Sequence, residues 1–95
     1  MIQVTCVNKD GGNHFNRHEG ITNFGWTDTA NGQRGNSGRD QMIAFLEKGG
    51  QAFTRDVYNN VAWLVVRMGQ ARKYVQTVAD NKFTDNLLSL NECRI

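Results

Sequence analysis

The sequence predicts an α+β fold: a mostly antiparallel sheet of four to five strands with one α-helix packed on one face. Three observations predict it. Residues 52–78 alternate apolar and polar types in three runs divided by turn formers, as a meander does. Residues 37–49 carry a helix start, an apolar stripe and a helix stop. Residues 2–7 repeat with the two-residue period of a strand.

In the first strand, Ile2, Val4 and Cys6 alternate with Gln3, Thr5 and Val7, so one side is clearly apolar. Residues 9–13 form a turn cluster around Gly11 and Gly12. From there to Asn36 the chain is polar and punctuated by glycine, without helical periodicity. The expectation is a single domain over residues 1–95 with a long loop at about 9–36. Ile21, Phe24 and Trp26 are too apolar for a solvated linker, so this loop should lie on the domain, with a short strand near 21–26. Asn31-Gly32 is the dipeptide of a type I′ turn but lacks alternating apolar flanks, so residues 27–36 read as a mobile loop.

Ser37 opens the helix as a cap, with Asp40 three residues on as the acidic partner of a capping box. Met42, Ile43 and Leu46 make the stripe, Phe45 flanks it, and Gly49 supplies the left-handed stop. A helix of about three turns is marginal alone, so its stripe should lie across the sheet. The meander follows as strands at 52–58, 61–68 and 72–78, with Asn59-Asn60 as its first turn. In the middle strand Ala62, Leu64, Val66 and Met68 form one face, while Trp63 and Val65 on the other are apolar too. One helix covers one face only. The second cover must come from the 14–36 loop, the leucine tail or a twin subunit, which is the sequence argument for a homodimer.

Asp80-Asn81 reverses the last meander strand, because both residue types accept a left-handed backbone. Asp85-Asn86 then stands before Leu87-Leu88-Ser89-Leu90, where side-chain bonds to main-chain N–H groups can set the angle at which the leucines enter the core. The run K-Y-V-Q-T-V-A-D-N followed by D-N-L-L-S-L-N-E-C resembles the closing signature of a family of small bacterial and bacteriophage-type proteins, a domain of unknown function, family thirty-eight ninety-two. Residues 2–9, 14–26 and 39–49 are similar to that family's opening strand, His-containing loop and single helix. The family usually carries Gly where Asn81 stands and Pro where Asn91 stands. The resemblance implies a compact single domain and supplies no activity and no site.

Ninety-five residues suffice for one core without staples. No apolar run is long enough for a membrane span, and Met1 leads straight into the first strand, so a cytoplasmic protein is expected. Eleven basic and nine acidic residues are interspersed, and the net charge of +2 falls well short of the basic footprint of a dedicated nucleic-acid binder. Cys6 and Cys93 are the only cysteines; in a reducing compartment they read as free, mostly buried thiols, with a bridge between the chain ends as the alternative.

His14 and His18 are four apart, and with the two cysteines a Cys2His2 metal set can be written down. Glycines bracket the segment and the spacing matches no paired-ligand motif, so structural histidines are the default. Asp85 or Glu19 could orient His18 for base work. No nucleophile elbow, phosphate-binding glycine loop or H-E-x-x-H is present, no cofactor is implied, and a non-catalytic role is expected. Arg55, Arg67 and Lys73 lie on the meander beside Trp63 and Tyr74. If these share a face, the sheet offers cations and an aromatic platform for a nucleotide or nucleic acid. The competing assignment is a solvated rim of arginines with Trp63 packed under the loop. The leading expectation is thus a small binding module for a phosphate-bearing ligand. The alternatives are a protein-interaction or inhibitor factor of bacterial or phage origin acting as a homodimer, and a metal-assisted hydrolase using His14, His18 and Asp85.

Overall fold

The strands that form are those in which a residue of one chain segment can pack against a suitable neighbour in the next, and they run further along the sequence than its own alternation shows. The computed structural model describes residues 1–12, 17–69 and 72–93. In chain order the elements are β1 (Ile2–Lys9), a 3₁₀ turn (Arg17–Gly20), β2 (Ile21–Asp28), β3 (Arg34–Gly38), α1 (Arg39–Glu47), β4 (Ala52–Arg55), β5 (Val61–Met68), β6 (Lys73–Ala79) and β7 (Lys82–Thr84). Among the described residues the strands form one sheet of seven in the order β3-β2-β1-β4-β5-β6-β7. This corrects the expected four to five mostly antiparallel strands. The sheet is mixed, because β1 and β4 run parallel with Ile2 opposite Ala52 and Gln3 opposite Phe53.

The extra strands are β3 and β7: in the stretch expected as a long loop at about 9–36, the short strand expected near 21–26 runs further, as β2, and pairs with β3 in a hairpin. Its turn is built by Asp28, whose Oδ1 accepts from Ala30 N–H at 3.0 Å while its carbonyl accepts from Gly32 N–H at 2.8 Å. Gly32 supplies a positive φ of 75°. β3 has no alternating apolar residues because its partner brings the side chain: the Trp26 ring occupies the space a Cβ on Gly35 would need. Trp26 Nε1 donates to Ser37 Oγ at 3.0 Å, so Ser37 serves this strand pair and is not the helix cap. The cap falls on Gly38, whose N–H donates to Gln41 Oε1 at 2.9 Å in place of the expected Ser37 and Asp40. The helix ends on Gly49 with φ 94°, as its sequence predicts.

In β1 the register slips between Val4 and Cys6. A bulge of this kind moves every later residue to the opposite face. Val4 and Val7 therefore both enter the core, and Cys6, expected beside Ile2 and Val4, turns to the other side. The core gathers Val4, Val7, Ile21, Phe24, Leu64 and Val75 from the sheet, Met42 and Ile43 from α1, and Leu87 from the tail. Each such side chain contributes about 1.5–3 kcal/mol when fully buried. β4 stops at Arg55, short of the expected residue 58, because Asp56 Oδ1 accepts from the N–H groups of Tyr58 and Asn60 and folds a five-residue turn. Asp80 and Asn81, at φ 52° and 63°, make the expected tight reversal, and β7 follows it.

After β7 the chain bends at Thr84, whose Oγ1 accepts from Asn86 N–H at 3.4 Å. Leu87 then enters the core, and the tail runs beside β1 where β4 leaves that strand's edge. Val7 N–H donates to Asn91 O and Cys93 N–H to Val7 O, both at 3.1 Å. This pairing brings Cys93 to Cys6, and the two form a disulfide with Cα atoms 4.9 Å apart. The expectation of free thiols is overturned, because a compartment argument takes no account of where the tail docks. No helix among the described residues is long and apolar enough to cross a membrane.

Candidate ligand-binding face

Strand parity decides which of the expected residues can act together. β5 places Trp63, Val65 and Arg67 on the face opposite Ala62 and Leu64, which point to the core. Cross-strand pairing adds Phe53 opposite Trp63 and Arg55 opposite Val61 on one flank, and Val78 opposite Trp63, Gln76 opposite Val65 and Tyr74 opposite Arg67 on the other. Phe83 on β7 pairs with Val78 and extends the row. Trp63, Arg67, Tyr74 and Arg55 therefore share a face, as the platform reading requires. Lys73 does not. It pairs with Met68 on the core side, where its Nζ is 2.6 Å from Glu47 Oε2 of α1.

Exposure sorts the residues again. Trp63 is 41% exposed and Phe83 54%, whereas Tyr74 is only 4% exposed. The cover expected over the whole face is confined to the Tyr74 end, where the His18 ring stacks on Tyr74 with centroids 6.2 Å apart and planes at 28°. Trp63 is thus not sheltered as the sequence reading supposed, and Tyr74 offers no free ring. Trp63 and Phe83 stand two strands apart, about 10 Å at the usual strand spacing, with partly exposed Val78 between them.

The cations of this face are already placed. Arg67 Cζ lies 3.8 Å from the Phe83 ring centroid and its Nη1 donates to Gln76 Oε1 at 3.0 Å. Gln76 in turn donates from Nε2 to Thr84 O at 3.3 Å, so the guanidinium is held by a fixed amide. Arg55 Cζ lies 5.6 Å from the Phe53 ring, and Phe53 backs Trp63 with centroids 5.7 Å apart. Two exposed rings, each braced from beside or beneath, are a surface on which flat groups can stack at little entropic cost.

His18 is 2% exposed, with Nε2 3.8 Å from Asp85 Oδ1. Burial foremost holds its pKa below the ordinary range; Asp85 pulls it back up, and Arg17 and Arg67 push it down. Asp85 therefore faces His18, and Thr84 takes over the capping expected of Asp85 and Asn86. His14, the other half of the proposed metal pair, lies outside the described residues. The Cys2His2 set fails on its cysteines, since a disulfide offers no thiolate ligands. No group of three His, Cys, Asp or Glu side chains suited to a metal occurs among the described residues.

Two features were missed in the sequence. Phe83 belongs to a three-residue strand whose only signal is the D-N turn before it. On β1 and β2, Asn23 Nδ2 donates to Asn8 Oδ1 at 3.0 Å and to Asn36 Oδ1 of β3 at 3.3 Å, a row of amides beside the disulfide.

Fold and site together define a small mixed-sheet domain with one helix on its core side and an aromatic patch on the other. The chain belongs to the family described as Protein of unknown function (DUF3892), whose model matches residues 3–91. No curated protein and no solved structure matches it.

Proposed function

We propose that the protein is a small non-catalytic binding module whose open sheet face stacks the bases of a nucleotide or single-stranded nucleic acid. The observation that carries this reading is the pairing of exposed Trp63 and Phe83 on one face, with Arg67 lying on the Phe83 ring. Bases stack on such rings with about 1–3 kcal/mol each and little sequence preference. Arg55, exposed at the edge of the same face, is the cation placed to meet a phosphate. With one or two such contacts, affinity should fall with salt at a slope of about −1 in the double-logarithmic plot.

The test is titration of fluorescently labelled short single-stranded oligonucleotides with the protein at several salt concentrations, read as anisotropy of the label. Trp63→Ala and Phe83→Ala should each weaken binding about tenfold or more with the fold retained, Phe83→Ala lowering stability only by the about 0.5–1 kcal/mol of its contact with Arg67. Absent binding, or binding indifferent to both substitutions, removes the proposal.

A second reading, a protein partner or a second copy, draws on Val57 and Tyr58. These are 92% and 82% exposed in the β4–β5 turn and add apolar surface next to strands that carry the platform. Light scattering over a range of concentrations decides it: a dimer lost on Tyr58→Ser supports this reading, and a monomer throughout removes the homodimer.

A further inference from the structure

The bulge in β1 puts Cys6 on the face away from the core, and the disulfide it forms with Cys93 lies over Gly25 of β2, the residue paired with Cys6. A Cβ on Gly25 would overlap both sulfurs. Glycine therefore leaves the bridge a seat on the sheet surface. Cys6 and Cys93 line a cavity of about 470 Å³ together with Thr5, Gly25, Arg34 and Asn36 among others. That volume is in the range that holds a small organic ligand.

Charge around the bridge is uneven. Arg34 pairs with Thr27 and so stands two residues along β3 from Asn36, the partner of Gly25, with the same parity. It is exposed and makes no ion pair among the described residues. On the opposite side, Glu92 is held by Asn8, whose Nδ2 donates to Glu92 Oε2 and to Cys93 O, each at 3.2 Å. An anion approaching the sulfurs meets the cation first only if it comes from the β3 side. The two cysteines also differ in access: Cys6 is partly exposed and Cys93 is 9% exposed.

We infer that the Cys6–Cys93 bridge is a thiol-exchange site for an anionic low-molecular-weight thiol, with Cys6 Sγ the sulfur attacked and Arg34 the group that attracts the anion. The thiolate of the incoming molecule forms a bond to Cys6 Sγ as the Cys6–Cys93 bond breaks. The electron pair leaves on Cys93 Sγ, which then takes a proton from solvent. A second thiolate attacks the outer sulfur of the mixed disulfide, releases the small-molecule disulfide and leaves Cys6 as a thiolate. Two small thiols are oxidised and the protein disulfide is reduced. The tail is then held at β1 by the two main-chain bonds of Val7 and the amide of Asn8.

The experiment compares reduced glutathione, an anionic thiol, with cysteamine, a cationic one, on the oxidised protein. Samples are quenched in acid and the adducts mapped by mass spectrometry. With rates corrected for thiolate fraction, glutathione should react about three- to tenfold faster at low ionic strength. That advantage should vanish at about 0.5 M salt and in Arg34→Ala, with the adduct on Cys6. No adduct and no reduction at millimolar thiol, an adduct on Cys93, or an unchanged ratio in both the high-salt and Arg34→Ala arms would overturn the inference.

Discussion

The guanidinium of Arg67 lies on the ring of Phe83, with Cζ 3.8 Å from the centroid, and is pinned there by a 3.0 Å hydrogen bond to Gln76. A short edge strand that contributes three residues gains from this contact an anchor to the third strand of its sheet. A cation on an aromatic face contributes about 0.5–1 kcal/mol at a partly exposed site, and a hydrogen bond from a charged donor somewhat more. Arg67→Ala should therefore lower stability by about 1–2 kcal/mol in urea unfolding. Arg67→Lys should recover less than half, because an ammonium cannot lie flat on the ring. Full recovery by lysine would show that only the charge matters.

Lys73 separates the observed site from the one first drawn. Its ammonium reaches Glu47 on the helix side of the sheet, 2.6 Å away. Lys73→Ala should leave the affinity for any ligand of the Trp63 face within about twofold, and should change stability by less than about 1 kcal/mol, as surface pairs do. A large loss of affinity would mean that ligand wraps around the sheet edge.

The meander and helix were legible because β5 and α1 each bury one side and β6, though buried on both faces from Tyr74 to Thr77, alternates β-branched with polar types, patterns that the sequence records. β3 was not, since Gly35 contributes no side chain and the burial signal of that pair is carried by Trp26 on the neighbouring strand. The site was legible in part. Trp63 and Arg67 lie on one strand, where parity can be counted, so their shared face follows from the sequence. Lys73 lies across a turn, and a one-residue difference in pairing decides its face: Tyr74, not Lys73, stands opposite Arg67. Cys6 changed faces for a similar reason, the bulge after Val4. Its partner is 87 residues away, and nothing local to either cysteine records that the tail docks beside β1.

Loss of the bridge should be expensive. Closing a loop of that length restricts the unfolded chain by about 4.6 kcal/mol in the chain-entropy account. The Cys6→Ser, Cys93→Ser protein, or the wild type in strong reductant, should unfold at a markedly lower urea concentration. Gly25→Ala should destabilise the oxidised protein strongly and the double-serine variant less, since the added methyl group collides with the sulfurs. Equal effects in the two backgrounds would mean that the glycine serves the backbone and not the bridge.

His18 gives the fold a pH dependence whose sign is fixed by its surroundings. Burial depresses its pKa from the ordinary 6.5, and Arg17 and Arg67 add to that against the pull of Asp85. As pH falls, the unfolded chain takes up the proton before the folded one does, so the stability contribution is complete above 6.5 and is lost on descent through the folded value. Asp28 and Asp56, held low chiefly by backbone N–H donors, lose their contribution only beneath the carboxylate value of 3.8. The urea midpoint should accordingly be flat above neutrality and decline as the solution is acidified toward pH 5. His18→Gln should flatten that decline. In Arg67→Ala the decline should still set in near 6.5, where the unfolded chain takes up its proton, but be shallower, because one of the charges holding the imidazole neutral is gone and the folded and unfolded values lie closer together. A decline that persists unchanged in His18→Gln would place the responsible group elsewhere.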